Sequence, residues 1–387
     1  MKGQPVSNQT VKTGVGRRTF IKGLGVSGAA FLPAAALMVN NANAQASDDG
    51  GGALTAGDAS LLRFVAMAEI IESDFWEQYW ELGNGTLDFA SSNPQPGATL
   101  TATGGNAAYI AALQILDMDM PQYILDNTDD EFAHANFLLA YLKSKGADTS
   151  DIDLLVGPHF RTLNGSMATG STKKGRLTNL TQLTIDTSFW GVYRTDNSNP
   201  DLGGTNFAQA VPTLNIGQHT AIPRTDADAV PNSDLIKAIA FTAGFHFPFI
   251  EIHGTSLYPQ LAQRAQDPQV LRILLSIGPT EAMHFQTWQD KAGNATPVTA
   301  FNPSFVQFVD LTASNDEHLQ ANLIMPEPCP FLHKSLPLCS IVRPTATRGA
   351  AMAAVNTLTA NGLFIGQTRE FSQLLHDLAS DADAAKR

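Results

Sequence analysis

The sequence predicts an all-α fold: a four-helix bundle with a long irregular crossover between its two helix pairs and a C-terminal helical extension. Three observations carry this. Apolar residues recur at helical spacing in four separated stretches. Two of the stretches hold the same Glu-x-x-His spacing, Glu131-Phe132-Ala133-His134 and Glu281-Ala282-Met283-His284. Each of these is preceded by an apolar helix with a carboxylate inside it and an aromatic residue two turns later, Glu69 with Trp76 and Glu251 with Tyr258.

Taken in order, residues 1–44 hold Gly16-Arg17-Arg18-Thr19-Phe20-Ile21-Lys22, a weakly apolar stretch from Gly23 to Val39, and Ala42-Asn43-Ala44. Charged region, apolar region and small-residue cleavage site follow one another as in a twin-arginine export signal, so a periplasmic or otherwise exported protein is expected. Residues 45–57 are small, acidic and Gly-rich, a flexible linker. The first helix pair spans 58–146. Its first member is capped by Asp58 or Ser60 and stops near Gly83-Asn84-Gly85; Phe89 to Gly105 is loop, and Ala107 to Asp117 a short helix. Met120-Pro121 opens the helix that carries Glu131 and ends near Lys145-Gly146.

From 147 to 232 Gly, Asn, Thr, Asp and Pro crowd the chain, and a structureless connection this long is unusual inside a compact domain. It is expected to lie over the bundle with local order, a short hairpin included. The second pair, 233–293, starts at the cap Ser233-Asp234 and again at Asp267-Pro268. Pro248 and Gly278-Pro279 sit close before Glu251 and Glu281, so both helices should kink or begin near those residues. Residues 294–387 form the extension, Pro-rich through Pro344, then helical from Ala346 to Ala379 with a break at Asn361-Gly362.

Composition is that of a globular chain, with 43% hydrophobic residues, and no internal run reads as a membrane span. Loss of residues 1–44 removes Lys2, Lys12, Arg17, Arg18 and Lys22 and no acidic residue, which takes the formal charge from −12 to −17. So acidic a surface disfavours nucleic acid as a partner and attracts cations. The only two cysteines, Cys329 and Cys339, suit either a short disulfide loop or a pair of buried thiols. Their spacing fits neither Cys-x-x-Cys redox chemistry nor a zinc site.

Residues i and i+3 of a helix share a face, about 5–6 Å apart at Cβ, so each Glu-x-x-His aims a carboxylate and an imidazole at one point. Glu69 shares its face with Leu62, Val65, Ala66 and Trp76, and Glu281 shares its face with Leu274, Ile277, Phe285 and Trp288. A carboxylate buried in such a stripe is costly unless paired or bound to a cation. The candidate metal ligands are therefore Glu69, Glu131, His134, Glu251, Glu281 and His284. One Glu from each of two helices and one Glu-x-x-His from each of the others is the set with which a helical bundle holds two metal ions. A vestigial or proton-sharing polar core is the other reading.

In these four segments (Ala68 to Trp76, Asp130 to Leu142, Phe247 to Tyr258 and Glu281 to Trp288) the sequence resembles the ferritin-like superfamily, closest to its rubrerythrin-type and desiccation-related branches. The resemblance implies a bundle binding two ions, iron or manganese, since carboxylate with few nitrogens disfavours copper. It implies redox chemistry with dioxygen, peroxide or ferrous iron, or else metal binding without turnover, or a stress-related role in which the bundle is structural. A homo-oligomer is compatible with it. The two cysteines cannot form a rubredoxin-type site, and the crossover and extension would crowd a ferritin shell. Glu72 reads as a further ligand or as a half-exposed helix residue. Trp76 and Tyr258 read as packing residues, His246 and His253 as surface or core histidines, and Asp74 and Glu77 as part of a solvated helix face.

Overall fold

A computed structural model describes residues 52–84, 103–192, 207–301, 305–313, 328–341 and 349–386. The expected signal and most of the linker lie outside the described residues. Among the described residues helix far exceeds strand, so the protein is all-α. Four long helices dominate: α1 (Ala56–Gly83), α3 (Met120–Ser144), α6 (Asp234–Ala262) and α7 (Pro268–Ala292). A short α2 (Ala107–Leu113) precedes α3.

The start of α1 differs from the expected cap. Thr55 is the N-cap: its hydroxyl accepts from the Asp58 N–H at 3.0 Å and donates to the Asp58 carboxylate at 2.8 Å. Asp58 serves elsewhere. Its carboxylate, buried, accepts from the backbone N–H of Gln266 (2.9 Å) and Asp267 (3.2 Å), tying the head of α1 to the turn between α6 and α7. Asp267 then caps α7 through Gln269 and Val270, and Ser233 caps α6 through Ile236.

Pro248 and Pro279 neither begin nor end their helices. Pro248 and Pro259 lie inside α6 and Pro279 inside α7. An interior proline costs about 3 kcal/mol. Around Pro248 the buried side chains of Phe245, Phe247, Phe249 and Ile250 each contribute roughly 1.5–3 kcal/mol, which outweighs that cost. Helix α6 also corrects the reading of the internal runs, for it is long and apolar enough to cross a membrane by length and composition. Its most apolar window is 89% buried inside the protein, the mark of a core helix.

α1 packs along α3, and α6 along α7. The pairs meet through aromatic side chains: Trp76 of α1 stacks on Trp288 of α7 (centroids 5.3 Å apart) and lies against Phe247 of α6 at 4.9 Å.

The crossover holds α4 (Ser150–Val156), a two-residue antiparallel pair of β1 (Leu163–Asn164) and β2 (Gly175–Arg176), α5 (Phe189–Val192) and a 3-10 turn at Pro212–Asn215. It overturns the reading of Asp74 and Glu77 as solvated. Both are buried, because the crossover lays Arg161, Lys174 and Arg176 on that face of α1. Arg176, itself buried, reaches Glu77 at 2.9 Å and Glu81 at 2.6 Å. Asp74 takes Arg161 at 2.6 Å and the N–H groups of Leu177 and Thr178 at 3.0 and 2.9 Å.

Beyond α7 come a hairpin of β3 (Thr299–Phe301) and β4 (Phe305–Gln307) and a pair of β5 (Pro328–Cys329) and β6 (Cys339–Ser340). Cys329 and Cys339 are register partners in that pair. Such partners stand about 4.5–5.5 Å apart at Cα, inside the span of a disulfide. Then α8 (Ala350–Asn361) ends on Gly362 at φ 94°, and α9 (Arg369–Ala384) starts from its cap Thr368. α9 lies on α1, and α8 on α6 and α9.

Candidate metal centre

The six expected ligands come from α1 (Glu69), α3 (Glu131, His134), α6 (Glu251) and α7 (Glu281, His284), and they converge in the core. Among the described residues two groups can hold an ion: Glu69, Glu131, His134 and Glu281; and Glu131, Glu251, Glu281 and His284. Within each, one ligand atom per residue lies within 4.8 Å of the others. Glu131 and Glu281 belong to both groups, so their carboxylates stand between two positions. All four glutamates are buried.

Distances show how the set divides. His134 Nδ1 lies 3.2 Å from Glu131 Oε2, 3.3 Å from Glu69 Oε2 and 3.5 Å from Glu281 Oε1. His284 Nδ1 lies 3.2 Å from Glu131 Oε1 and 3.3 Å from Glu251 Oε2. Thus each oxygen of Glu131 faces a different histidine.

The surrounding residues fix both imidazoles. Thr280 spends its hydroxyl proton on the Ile277 carbonyl (2.7 Å), so towards His134 Nε2, 3.2 Å away, its oxygen is an acceptor. Asp130 offers a carboxylate oxygen to His284 Nε2 at 3.0 Å. Both rings therefore hold a proton on Nε2 and present Nδ1 to the carboxylates, the orientation that a metal-ligating histidine takes from its outer partner. The exchange is reciprocal: the residue before each motif's Glu supports the other motif's His.

Asn127 acts similarly on the carboxylates. Trp288 Nε1–H donates to Asn127 Oδ1 at 2.6 Å, which turns the Asn127 amide so that it donates to Glu131 Oε1 (2.7 Å) and Glu251 Oε1 (3.2 Å). Tyr258 donates its hydroxyl to Glu69 Oε1, so it is more than the packing residue expected, whereas Trp76 is an aromatic core residue. Gly254 makes room for Glu281: a Cβ there would stand 2.8 Å from Glu281 Oε2. Asn127, Asp130, Thr280 and Gly254 were not foreseen. Asp130 and Thr280 share one legible signal, the position immediately before each Glu-x-x-His.

The other candidates lie outside both groups. Glu72 is half-buried. His246 is buried with its Nδ1 2.8 Å from the Tyr79 hydroxyl, and burial pushes its pKa down to about 3, so it is neutral. His253 Nδ1–H donates to the Phe249 carbonyl.

Charge is what the site must resolve. Burial raises Glu69 to about 7 although His134 pulls the other way. Burial likewise lifts Glu251 and Glu281, and for Glu281 the charges of Glu131 and Glu69 lift it further. Glu131 alone is held low, since hydrogen bonds to both imidazoles overcome its burial. For His134 burial opposes the charge, but Glu69 and Glu131 raise its pKa to about 12. Glu69 Oε2 and both oxygens of Glu281 accept no hydrogen bond. Four carboxylates, two imidazoles with Nδ1 turned inward, which an ion would hold in the neutral form, and three unbonded buried oxygens fit two divalent cations, whose charge would balance the glutamates.

Neither the protein-family models, the curated proteins nor the solved structures contain a match to this chain.

Proposed function

We propose that the chain is an exported ferritin-like protein whose four long helices form a bundle around two metal ions, iron or manganese, and that it serves redox chemistry with dioxygen, peroxide or ferrous iron. The observation that carries this is the sharing of Glu131 and Glu281 between two groups, each completed by one terminal Glu and one His. Glu69 and His134 would hold one ion, Glu251 and His284 the other, and the shared carboxylates would bridge them. Such a pair supplies electrons and open coordination positions to a small oxidant. The protein's residues do the rest. Asn127, Thr280, Asp130 and Tyr258 keep the ligands aimed, and the apolar surroundings exclude water. The Arg17-Arg18 motif supports export; it suits a route that carries cargo already folded.

A second reading has its own support. With both histidines protonated and Glu69 raised to about 7, the cluster can reach near-neutrality with protons alone, as a structural polar core would. Loading decides between the two. Protein stripped of metal, then supplied anaerobically with ferrous iron or with manganese and desalted, is expected to retain about two ions per chain. It should also melt higher than the stripped form by mass action. Elemental analysis well below one ion per chain, with no melting shift, overturns the proposal in favour of the polar core.

A further inference from the structure

Beside the ligand cluster lies a chamber that the cluster does not need. Glu69, Glu72, His253, Tyr258 and Glu281 touch it, and Val355, Leu358 and Leu375 line it from α8 and α9. Side chains of α1 and α6 such as Met67 and Leu257 complete it, so most of the lining is apolar. It offers about 30 Å³ to the centre of a water-sized sphere. Space in which the centre of such a sphere can move is more than one water fills, so the chamber takes a small guest larger than a single water. A water also requires two to four polar partners, which the α8 and α9 side of the chamber does not provide, and apolar space of this kind takes up gas-sized guests.

We propose that the C-terminal extension builds, against the ligand cluster, a binding site for one small apolar molecule of the size of dioxygen, and that Val355 sets the size of its guest. The site is part of this chain's own architecture, because Val355, Leu358 and Leu375 close it from helices outside the four that carry the ligands. Its α8 and α9 side favours an apolar guest over a polar one: a hydroxyl group of peroxide turned towards Leu358 and Leu375 would be left unpaired. The inference deepens the metal reading by naming the class of molecule brought to the centre, and its test is arranged so that the two can fail separately.

The probe is xenon, bound to the metal-free full chain and followed by 129Xe NMR and by xenon-pressurised crystals. Wild-type protein is expected to hold xenon between Val355 and Tyr258. Val355→Phe should lose it through filling, and Val355→Ala should bind more through enlargement. Absence of xenon from the wild-type chamber overturns the proposal, as does binding that Val355→Phe leaves unchanged. Should Val355→Phe fail to fold, binding to Val355→Ala no greater than wild type overturns it equally. Manganese then tests the neighbourhood: in protein carrying the ion by elemental analysis, its paramagnetism should broaden the bound-xenon resonance. A resonance that stays sharp in manganese-loaded protein detaches the chamber from the centre and overturns the proposal. Xenon bound by protein that retains no manganese supports the chamber and removes only the metal reading.

Discussion

Gly254 shows how small a change should disable the centre. A methyl group there would meet Glu281 at 2.8 Å from Oε2, closer than real contacts allow, and at a tight 3.0 Å from Cγ. Gly254→Ala is therefore expected to push the shared carboxylate aside, to lower metal retention, and to cost about 1–3 kcal/mol by overpacking. Metal titration and denaturant unfolding check the two effects. Protonation supplies a second test at this scale. In metal-free protein Glu69 is raised from 4.5 to about 7, so the folded state binds its proton more tightly than the unfolded one. The stability it contributes is whole below about 4.5 and is lost as pH rises through about 7. His134, raised from 6.5 to about 12, has the same sign, its contribution being lost as pH climbs from 6.5 towards 12. Glu131, held low, acts oppositely and only in acid. Thermal melts of the stripped protein should thus fall between pH 5 and 8, with a shallower slope in Glu69→Gln and in loaded protein, where the ion replaces the protons.

Among the elements, the crossover depends on a face of α1 that reads as surface. Asp74, Glu77 and Glu81 recur at helical spacing, and one buried guanidinium, Arg176, joins two of them. Breaking a buried pair by deleting one partner costs about 3–5 kcal/mol, since it strands the remaining charge. Arg176→Met should lower unfolding stability by about that much, and Arg176→Met with Glu77→Gln and Glu81→Gln should recover part of it. A loss within about 1 kcal/mol in the single variant would mean that the crossover is held by its apolar contacts instead. The prolines teach a related lesson about helices. Their local cost was visible in the sequence, but the packing that overrides it involves residues from three other helices.

For the molecule as a whole, the extension is integral. α8 and α9 bury Val355, Phe371, Leu375 and Leu378, worth together roughly 6–12 kcal/mol at about 1.5–3 kcal/mol each. Arg264 at the end of α6 adds a contact to Asp383 at 3.2 Å. That sum rivals the full stability of a typical domain, about 5–15 kcal/mol. A chain ending before Gly349 is expected to lose cooperative unfolding and to expose apolar surface to a hydrophobic dye. A sharp transition at the full-length midpoint would show the extension to be dispensable.

The sequence by itself determined the helical class, the four long helices with most of their ends, and the six residues that meet in the core. These are local facts: periodicity, caps and Glu-x-x-His spacing are written along one helix at a time. Only the tertiary structure decided what each helix faces. It buried Asp74 and Glu77 under the crossover and kept α6 and α7 unbroken through their prolines. It brought Thr280 to His134 and Asp130 to His284, and it turned Tyr258 from packing to a donor on Glu69. The physical reason is the same throughout. A polar side chain's role depends on which partner lies within hydrogen-bond distance, and that partner is supplied by another helix, 146 to 189 residues away along the chain for three of these contacts.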